Sequence, residues 1–324
     1  MHPTDTPAAA DYDAVHLAAV GRVDALCDEL VHRGAEISGV RQQLVFSRGH
    51  RAPAAWAQTS WLDPREIAIE SIGDGVRALK SLQRNWALHS TGHHRRARLI
   101  ADKLPAIRFR PLEFPSAPPD APLGAWTLID RNRLIAAPTT SSAFADGEPA
   151  FVEDRDNPPN RAYLKAWEAL TLARRWPQAG ERCLDLGAAP GGWSWVMASL
   201  GADVISIDRA PLAPEIAAHP RISHRRGDAF ALRVADVGTP DWICSDLIAY
   251  PERLLELADY WCSACPRAGV ILTVKCQGNV AFETLARFYA IDGARLLHLA
   301  YNKHELTFFR LPGGGPAEAA GIGS

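Results

Sequence analysis

The chain has 324 residues, 47% of them hydrophobic and 22% charged, with a formal net charge of −2 at pH 7. That length allows two domains and a large core, while the near-balanced charge excludes a chain-wide basic field, so a polyanionic partner must be met by a local patch. No apolar run reaches the ~20 residues that span a bilayer, and the opening Met1-His-Pro-Thr-Asp-Thr6 lacks the charged-then-apolar pattern of a secretory signal. The 6 cysteines are scattered. Cys183 and Cys244 fall in apolar runs and read as small core residues. Cys262-Ser-Ala-Cys265 has no second pair to complete a zinc set. The expectation is a reduced, cytoplasmic protein with no metal and no membrane partner.

In chain order, residues 1–12 read as a disordered leader. Val15 to Val20 is an apolar strand, Gly21-Arg22 a turn, and Val23 to His32 has helical periodicity ended by Arg33-Gly34. Val40 to Arg48 reads as one further strand, and Ala54 to Leu62 adds Trp56 and Trp61. The result is a small α+β module. Ile67 to Trp86 reads as mostly helical, interrupted at Gly73 and Gly75. The most basic stretch follows, His89-Ser-Thr-Gly-His-His-Arg-Arg-Ala-Arg98, extended by Lys103, Arg108 and Arg110. Taken alone it fits a solvated charged face as well as phosphate contacts to RNA through Arg95, Arg96, Arg98, Lys103, Arg108 and Arg110. Pro111 to Pro122 suggests an extended linker, and Ala125 to Ala137 a hairpin turning at Asp130 to Asn132. The domain boundary is expected near residue 150, dividing a module of residues 13–150 from a second domain of residues 151–312 with a flexible tail, 313–324.

The second half alternates cleanly. A helix over 160–175 precedes strands at 182–187, 203–207, 221–225, 241–246, 268–275, 294–300 and 305–311, with the clearest intervening helices at 193–200, 251–265 and 281–290. Such alternation predicts an α/β fold with a mainly parallel sheet covered on both faces. Only Tyr301-Asn-Lys-His304 separates the last two strands, too little for a crossover, so they must pair antiparallel at one edge.

The stretch around which this half is organised is Cys183-Leu-Asp-Leu-Gly-Ala-Ala-Pro-Gly-Gly-Trp-Ser-Trp195. It is an apolar strand, a turn of small residues and a helix start, the layout of a nucleotide site in which glycines let backbone N–H groups approach a ligand. The spacing is Asp185-x-Gly187-x-x-Pro190-Gly191-Gly192-Trp193 rather than G-x-G-x-x-G, which disfavours a dehydrogenase. Ligands in such sheets bind beyond the carboxyl ends of the strands. Asp208 ends the second strand, placed for a cofactor ribose diol. Asp228 follows the third, placed near an adenine amino group. Asp246 ends the fourth, Lys275 the fifth, and Glu305 opens the last. Lys275 closes an apolar run, and a buried ammonium there needs a carboxylate, which Asp246 can supply.

These motifs resemble the FtsJ-like (RrmJ-type) ribose 2′-O-methyltransferases. The loop is similar to that family's S-adenosylmethionine (SAM) loop, D-x-G-x-x-P-G-G-[WF], implying the cofactor SAM held by Asp185, Gly187, Pro190, Gly191, Gly192, Trp193, Asp208, Asp228 and Asp246. The family carries a Lys-Asp-Lys-Glu tetrad. Asn160-Arg-Ala-Tyr-Leu-Lys165-Ala-Trp-Glu168 resembles its first element, so the resemblance makes Lys165, Asp246, Lys275 and Glu305 the catalytic set. It covers roughly residues 155–311, with Asn160 in place of the usual serine and Ala166-Trp167 in place of an aliphatic pair. It implies a Rossmann-like SAM-methyltransferase sheet, mostly parallel with one antiparallel edge strand. The amino-terminal module looks like a shortened form of the THUMP-type RNA-binding domain of RlmM-type members, which methylate a cytidine ribose of large-subunit ribosomal RNA.

The expected reaction is transfer of the SAM methyl to a ribose 2′-hydroxyl, with RNA rather than DNA as partner. Lys275 serves as base or as charged stabiliser, Asp246 orients the hydroxyl and Glu305 holds the lysines. Three rivals remain: methylation of another RNA such as tRNA, methylation of a base, protein or small molecule, and a non-catalytic RNA-binding or assembly factor. Asp246-Leu-Ile-Ala-Tyr250 lacks the [DN]-P-P-[YFW] pattern of base methyltransferases. Intact retention of the tetrad argues against a retired site.

Overall fold

The computed structural model describes residues 7, 11–107, 109–276 and 282–311. Arg108, most of the expected leader and the tail from residue 313 lie outside them. The chain forms two compact units, one built from residues up to Pro111 with Pro118–Ala150, the other from Leu112–Ala117 with Phe151 onward. Among the described residues no helix is long and apolar enough to cross a membrane, and all six cysteines are buried thiols with no disulfide between them.

The first unit runs β1 (Ala14–Ala18), α1 (Val23–His32), β2 (Glu36–Arg41), β3 (Leu44–Arg48), β4 (Ala57–Leu62), β5 (Arg65–Ala68), α2 (Ile72–Leu82), β6 (Trp86–Leu88), α3 (His94–Ala101), β7 (Gly124–Leu128), β8 (Arg133–Ala137) and β9 (Thr139–Thr140). These strands make a five-stranded sheet in the order β2-β3-β1-β4-β9 and a four-stranded sheet in the order β5-β8-β7-β6. Two segments differ from expectation. The stretch read as one strand over Val40 to Arg48 is a hairpin, because the chain reverses at Gln42, which sits at φ 54°. Only the middle of Ile67 to Trp86 is helical, since Ser71 caps α2 by accepting the Asp74 N–H at 3.1 Å and the flanks are strands β5 and β6. Gly75 lies inside α2 because α3 packs close: a Cβ there would stand 3.1 Å from Ile100 Cδ1.

The second unit runs α4 (Tyr163–Ala173), β10 (Arg182–Leu186), α5 (Gly192–Ser199), β11 (Asp203–Asp208), α6 (Pro214–Ala217), β12 (Ile222–Arg226), α7 (Val234–Val237), β13 (Trp242–Ser245), α8 (Pro251–Ala264), β14 (Gly269–Lys275), α9 (Phe282–Tyr289), β15 (Ala294–Leu297) and β16 (Glu305–Arg310). Its seven-stranded sheet has the order β12-β11-β10-β13-β14-β16-β15. It is the expected Rossmann-like sheet, parallel from β12 to β14. β16 is antiparallel to both β14 and β15. The antiparallel strand therefore lies one place in from the edge rather than at it, because the last strand inserts between two earlier ones. Part of the stretch expected to form an extended linker packs with this unit: Leu112 bridges to Phe151, and Phe114 stacks on Trp167 with ring centroids 4.9 Å apart.

The sheet centre is tightly filled. Strands buried on both faces read as continuous apolar runs, and Trp242, Ile243, Val270, Ile271 and Phe308 are all at most 1% exposed. Arg310, itself buried, donates to the carbonyls of Cys262 and Cys265, each at 2.9 Å, and so ties the end of β16 to the end of α8. Gly269 pairs with Trp242 across β13 and β14, and a Cβ there would lie 2.5 Å from the indole. Gly269→Ala should therefore destabilise the chain by about 1–3 kcal/mol, the usual penalty for overpacking, read as a lower urea midpoint at unchanged slope.

Candidate active site

Four charged side chains converge at the carboxyl edge of the second unit's sheet, each delivered by a different element. α4 is buried nearly all round, and Lys165 is its charged exception. The helix is held by Glu168, buried to 1% exposure, whose carboxylate accepts the N–H groups of Ala300 at 2.8 Å and Tyr301 at 3.0 Å. Asp246 follows β13 directly. Lys275 and Glu305 are register partners across the antiparallel β14–β16 pair, so their side chains stand on one face.

The Lys165 ammonium lies 2.6 Å from Glu305 Oε1 and 3.2 Å from Asp246 Oδ2. Lys275 donates to Asp246 Oδ1 at 2.7 Å and stands 3.9 Å from Glu305 Oε2. The four side chains are only 10–21% exposed, so two cations and two anions neutralise one another in a partly desolvated pocket. Burial alone would push Lys165 down, but the nearby Asp246 charge and the Glu305 hydrogen bond outweigh it and raise it. Lys165 thus stays an ammonium through neutral pH. Among the described residues Lys275 has one short contact against Lys165's several, which leaves more of its donor capacity for a substrate.

The glycine turn lies against the same edge. Gly187 has φ 77° and Gly191 φ 117°, backbone conformations open mainly to glycine. A side chain on Gly187 would strike Leu247, the neighbour of Asp246. A Cβ on Gly191 would stand 2.6 Å from Ile216 Cγ2, and one on Gly192 2.5 Å from Asn160 Oδ1. Asp208 braces the turn, accepting the Ala189 N–H at 2.9 Å and the Ala210 N–H at 2.8 Å. The exposed Asp228 carboxylate accepts the Phe230 N–H at 3.0 Å and meets Arg209 at 2.7 Å; the backbone bond first and then the guanidinium hold it below the usual carboxylate range. Pro190 is exposed on the turn.

Two residues expected to touch a cofactor sit underneath instead. Trp193 is 3% exposed and part of the core. Asp185 is 1% exposed and receives the Ser194 hydroxyl at 2.6 Å, with Ser206 2.7 Å further along. Both hold the turn from below. Asp185 lies in a strand whose last four residues are all buried, so its place under the turn is set by burial.

The basic residues belong to the first unit. Arg95 and Arg96 line a cavity of about 580 Å³ together with His93, His94 and Arg131, and no carboxylate lines it among the described residues. Arg98 is engaged by Asp102 at 2.9 Å, while Lys103 and Arg110 are exposed. Arg131 comes from the β7–β8 turn, and no local signal in the sequence joins it to α3.

Burial pushes Asp185 up to about 7 from its usual value near 3.8. The unfolded carboxyl ionises above pH ~4 while the folded one stays protonated, so this group's contribution to stability is greatest below pH ~4, is lost as pH rises toward 7 and is level above it. Removing the titration by Asp185→Asn should flatten that dependence. The stability difference between wild type and variant, measured by urea unfolding, should shift by a few kcal/mol between pH 4.5 and 7.5, at ~1.4 kcal/mol per pH unit.

Comparison with known proteins places residues 159–293 in agreement with the FtsJ-like methyltransferase family. "Ribosomal RNA large subunit methyltransferase M" of Halorhodospira halophila is 32% identical over 163 residues, covering 47% of this chain and 47% of that protein. Its namesake from Alkalilimnicola ehrlichii is 36% identical over 164 residues, covering 46% and 44%. The chain thus spans about half the length of the curated relatives it matches. Fibrillarin from Aeropyrum pernix, solved with natively bound SAM, is 16% identical over 46% of this chain and 75% of that one, with a TM-score of 0.36.

Proposed function

We propose that this chain, whose second unit carries an FtsJ-like methyltransferase domain, is a SAM-dependent RNA ribose 2′-O-methyltransferase acting on large-subunit ribosomal RNA in the cytoplasm. The observation that carries the reading is the Lys165–Asp246–Lys275–Glu305 cluster set beside the Gly187–Gly192 turn. The turn fits the cofactor: positive φ at Gly187 and Gly191 shapes a small-residue turn at the carboxyl edge, and Asp208, at the end of β11, and Asp228, after β12, are the carboxylates that would hold a nucleoside's diol and amino group. When bound, SAM supplies an activated methyl group on its sulfonium. The side chains then have only to align one oxygen and manage its proton.

Asp246 accepts the hydrogen bond of the 2′-hydroxyl and fixes its direction. Lys275 meets the negative charge that builds on that oxygen: as an ammonium it donates a hydrogen bond while the hydroxyl proton leaves through Asp246, and as a neutral amine it takes that proton itself. Lys165, kept cationic, pins Asp246 and Glu305. Glu305 fixes the position of Lys165 and faces Lys275 across the strand pair. The need for a 2′-hydroxyl makes the substrate RNA. Arg95, Arg96, Lys103 and Arg110 in the first unit support the reading of that unit as a THUMP-like module that grips RNA by its phosphates, with Arg108, outside the described residues, in the same basic stretch of sequence.

The test is transfer of labelled methyl from SAM into ribosomal RNA, with SAM affinity measured in parallel. Wild type should label ribose 2′-oxygens, and Lys275→Ala should be slower by about 10²-fold or more, the cost of losing one preorganised charge-stabilising group, with SAM affinity retained. A chain that binds SAM yet labels no RNA would overturn the reading in favour of a non-RNA acceptor. For the first unit, Arg95→Ala with Arg96→Ala should weaken RNA binding and flatten the plot of log affinity against log salt by about 1.4, at ~0.7 per single-strand phosphate contact.

A further inference from the structure

A cluster of four charges can hold an oxygen, but it cannot by itself orient a flexible polynucleotide so that one ribose out of many presents that oxygen in line. The segment that leaves the cluster has the features for that task. Asp246 is followed by Leu247, Ile248, Ala249 and Tyr250, and α8 begins at Pro251. Leu247 turns inward against Gly187. Ile248 is 81% exposed and Tyr250 79% exposed. Among the described residues of this unit, the only other large apolar side chain that is strongly exposed is Val152, at 54%.

The exposed ring is carried on a firm mount. The Tyr250 carbonyl accepts the Arg253 N–H at 3.0 Å and the Leu254 N–H at 3.2 Å, closing the first turn of α8. That helix is anchored by the buried Leu254, Leu255, Ala258 and Trp261. Arg253 lies over the Phe230 ring, 4.8 Å from its centroid, which joins this segment to the turn that carries Asp228. Tyr250 therefore stands at the carboxyl edge of the sheet, four positions from the carboxylate assigned to the ribose hydroxyl. An exposed aromatic ring on an anchored backbone beside a ribose-directed site suits the face of an unstacked base, and such stacking tolerates any base.

We infer that Tyr250, flanked by Ile248, is the stacking platform for a nucleobase of the substrate RNA at or beside the nucleotide whose ribose receives the methyl group. The inference rests on the RNA 2′-O-methylation reading above. Tyr250 is a positioning residue: it acts on the nucleotide as a whole and leaves cofactor binding and the charge cluster alone.

The experiment uses the full chain with deproteinised ribosomal RNA as acceptor and compares wild type, Tyr250→Ala and Tyr250→Phe. Tyr250→Ala should raise KM for RNA by about 5- to 100-fold, the range for one lost base–aromatic stack, with a smaller change in kcat and an unchanged SAM dissociation constant. Tyr250→Phe should restore KM to near the wild-type value, since stacking uses the ring and not the hydroxyl. An unchanged KM in Tyr250→Ala would overturn the inference while leaving the methyltransferase reading intact, and so would a Phe variant as impaired as the Ala variant. Wild type is measured first: if it methylates no RNA, the underlying function fails and this inference falls with it.

Discussion

Everything at the carboxyl edge depends on two ammoniums and two carboxylates neutralising one another out of bulk water. A charge cluster of this kind contributes little net stability, because desolvation offsets most of the attraction. Removing one member is different, since it leaves an uncompensated partner behind. The arrangement therefore works mainly as a positioning device. Lys165 is fastened from two sides by Asp246 and Glu305, and Asp246 is fastened by both lysines. Each charge has its place set by the others, so the group proposed to meet the substrate is held in place by the fold itself.

The surrounding fold can be read as support for that geometry. Glu168, from the buried side of α4, clamps the loop before β16 and so fixes the helix that brings Lys165 and the strand that brings Glu305. The Asp185–Ser194–Ser206 hydrogen-bond chain does the same for the glycine turn from below. These three side chains are buried and polar, and each has its partners, which is the condition under which polar burial rigidifies a core.

How much of this was legible in the sequence varied with the kind of signal. The glycine turn was readable because its spacing reports a backbone requirement, positive φ at Gly187 and Gly191, that few other residues meet. The order and strand ends of Asp246, Lys275 and Glu305 followed from β/α alternation. Their distances did not, because the register of β14 against β16 is set by tertiary packing. Asp185 and Trp193 were in the motif but under the turn, a distinction that depends on burial and not on spacing. In the first unit the turn at Gln42 lacked any glycine, proline or asparagine, and tertiary pairing overrode the helical pattern on both sides of α2. Arg131 reaches the α3 cavity only through the fold, so no linear motif could include it.

The position of β16 has a consequence for where the chain can be shortened. Its neighbours in the sheet are β14 and β15, and β15 has no other strand beside it. A chain cut before β16 would leave β15 without its strand partner in this sheet. It would also carry two ammoniums against one carboxylate, because Glu305 is the first residue of the missing strand. The strand that fills the last gap in the sheet is thus the same strand that brings the fourth charge to the cluster.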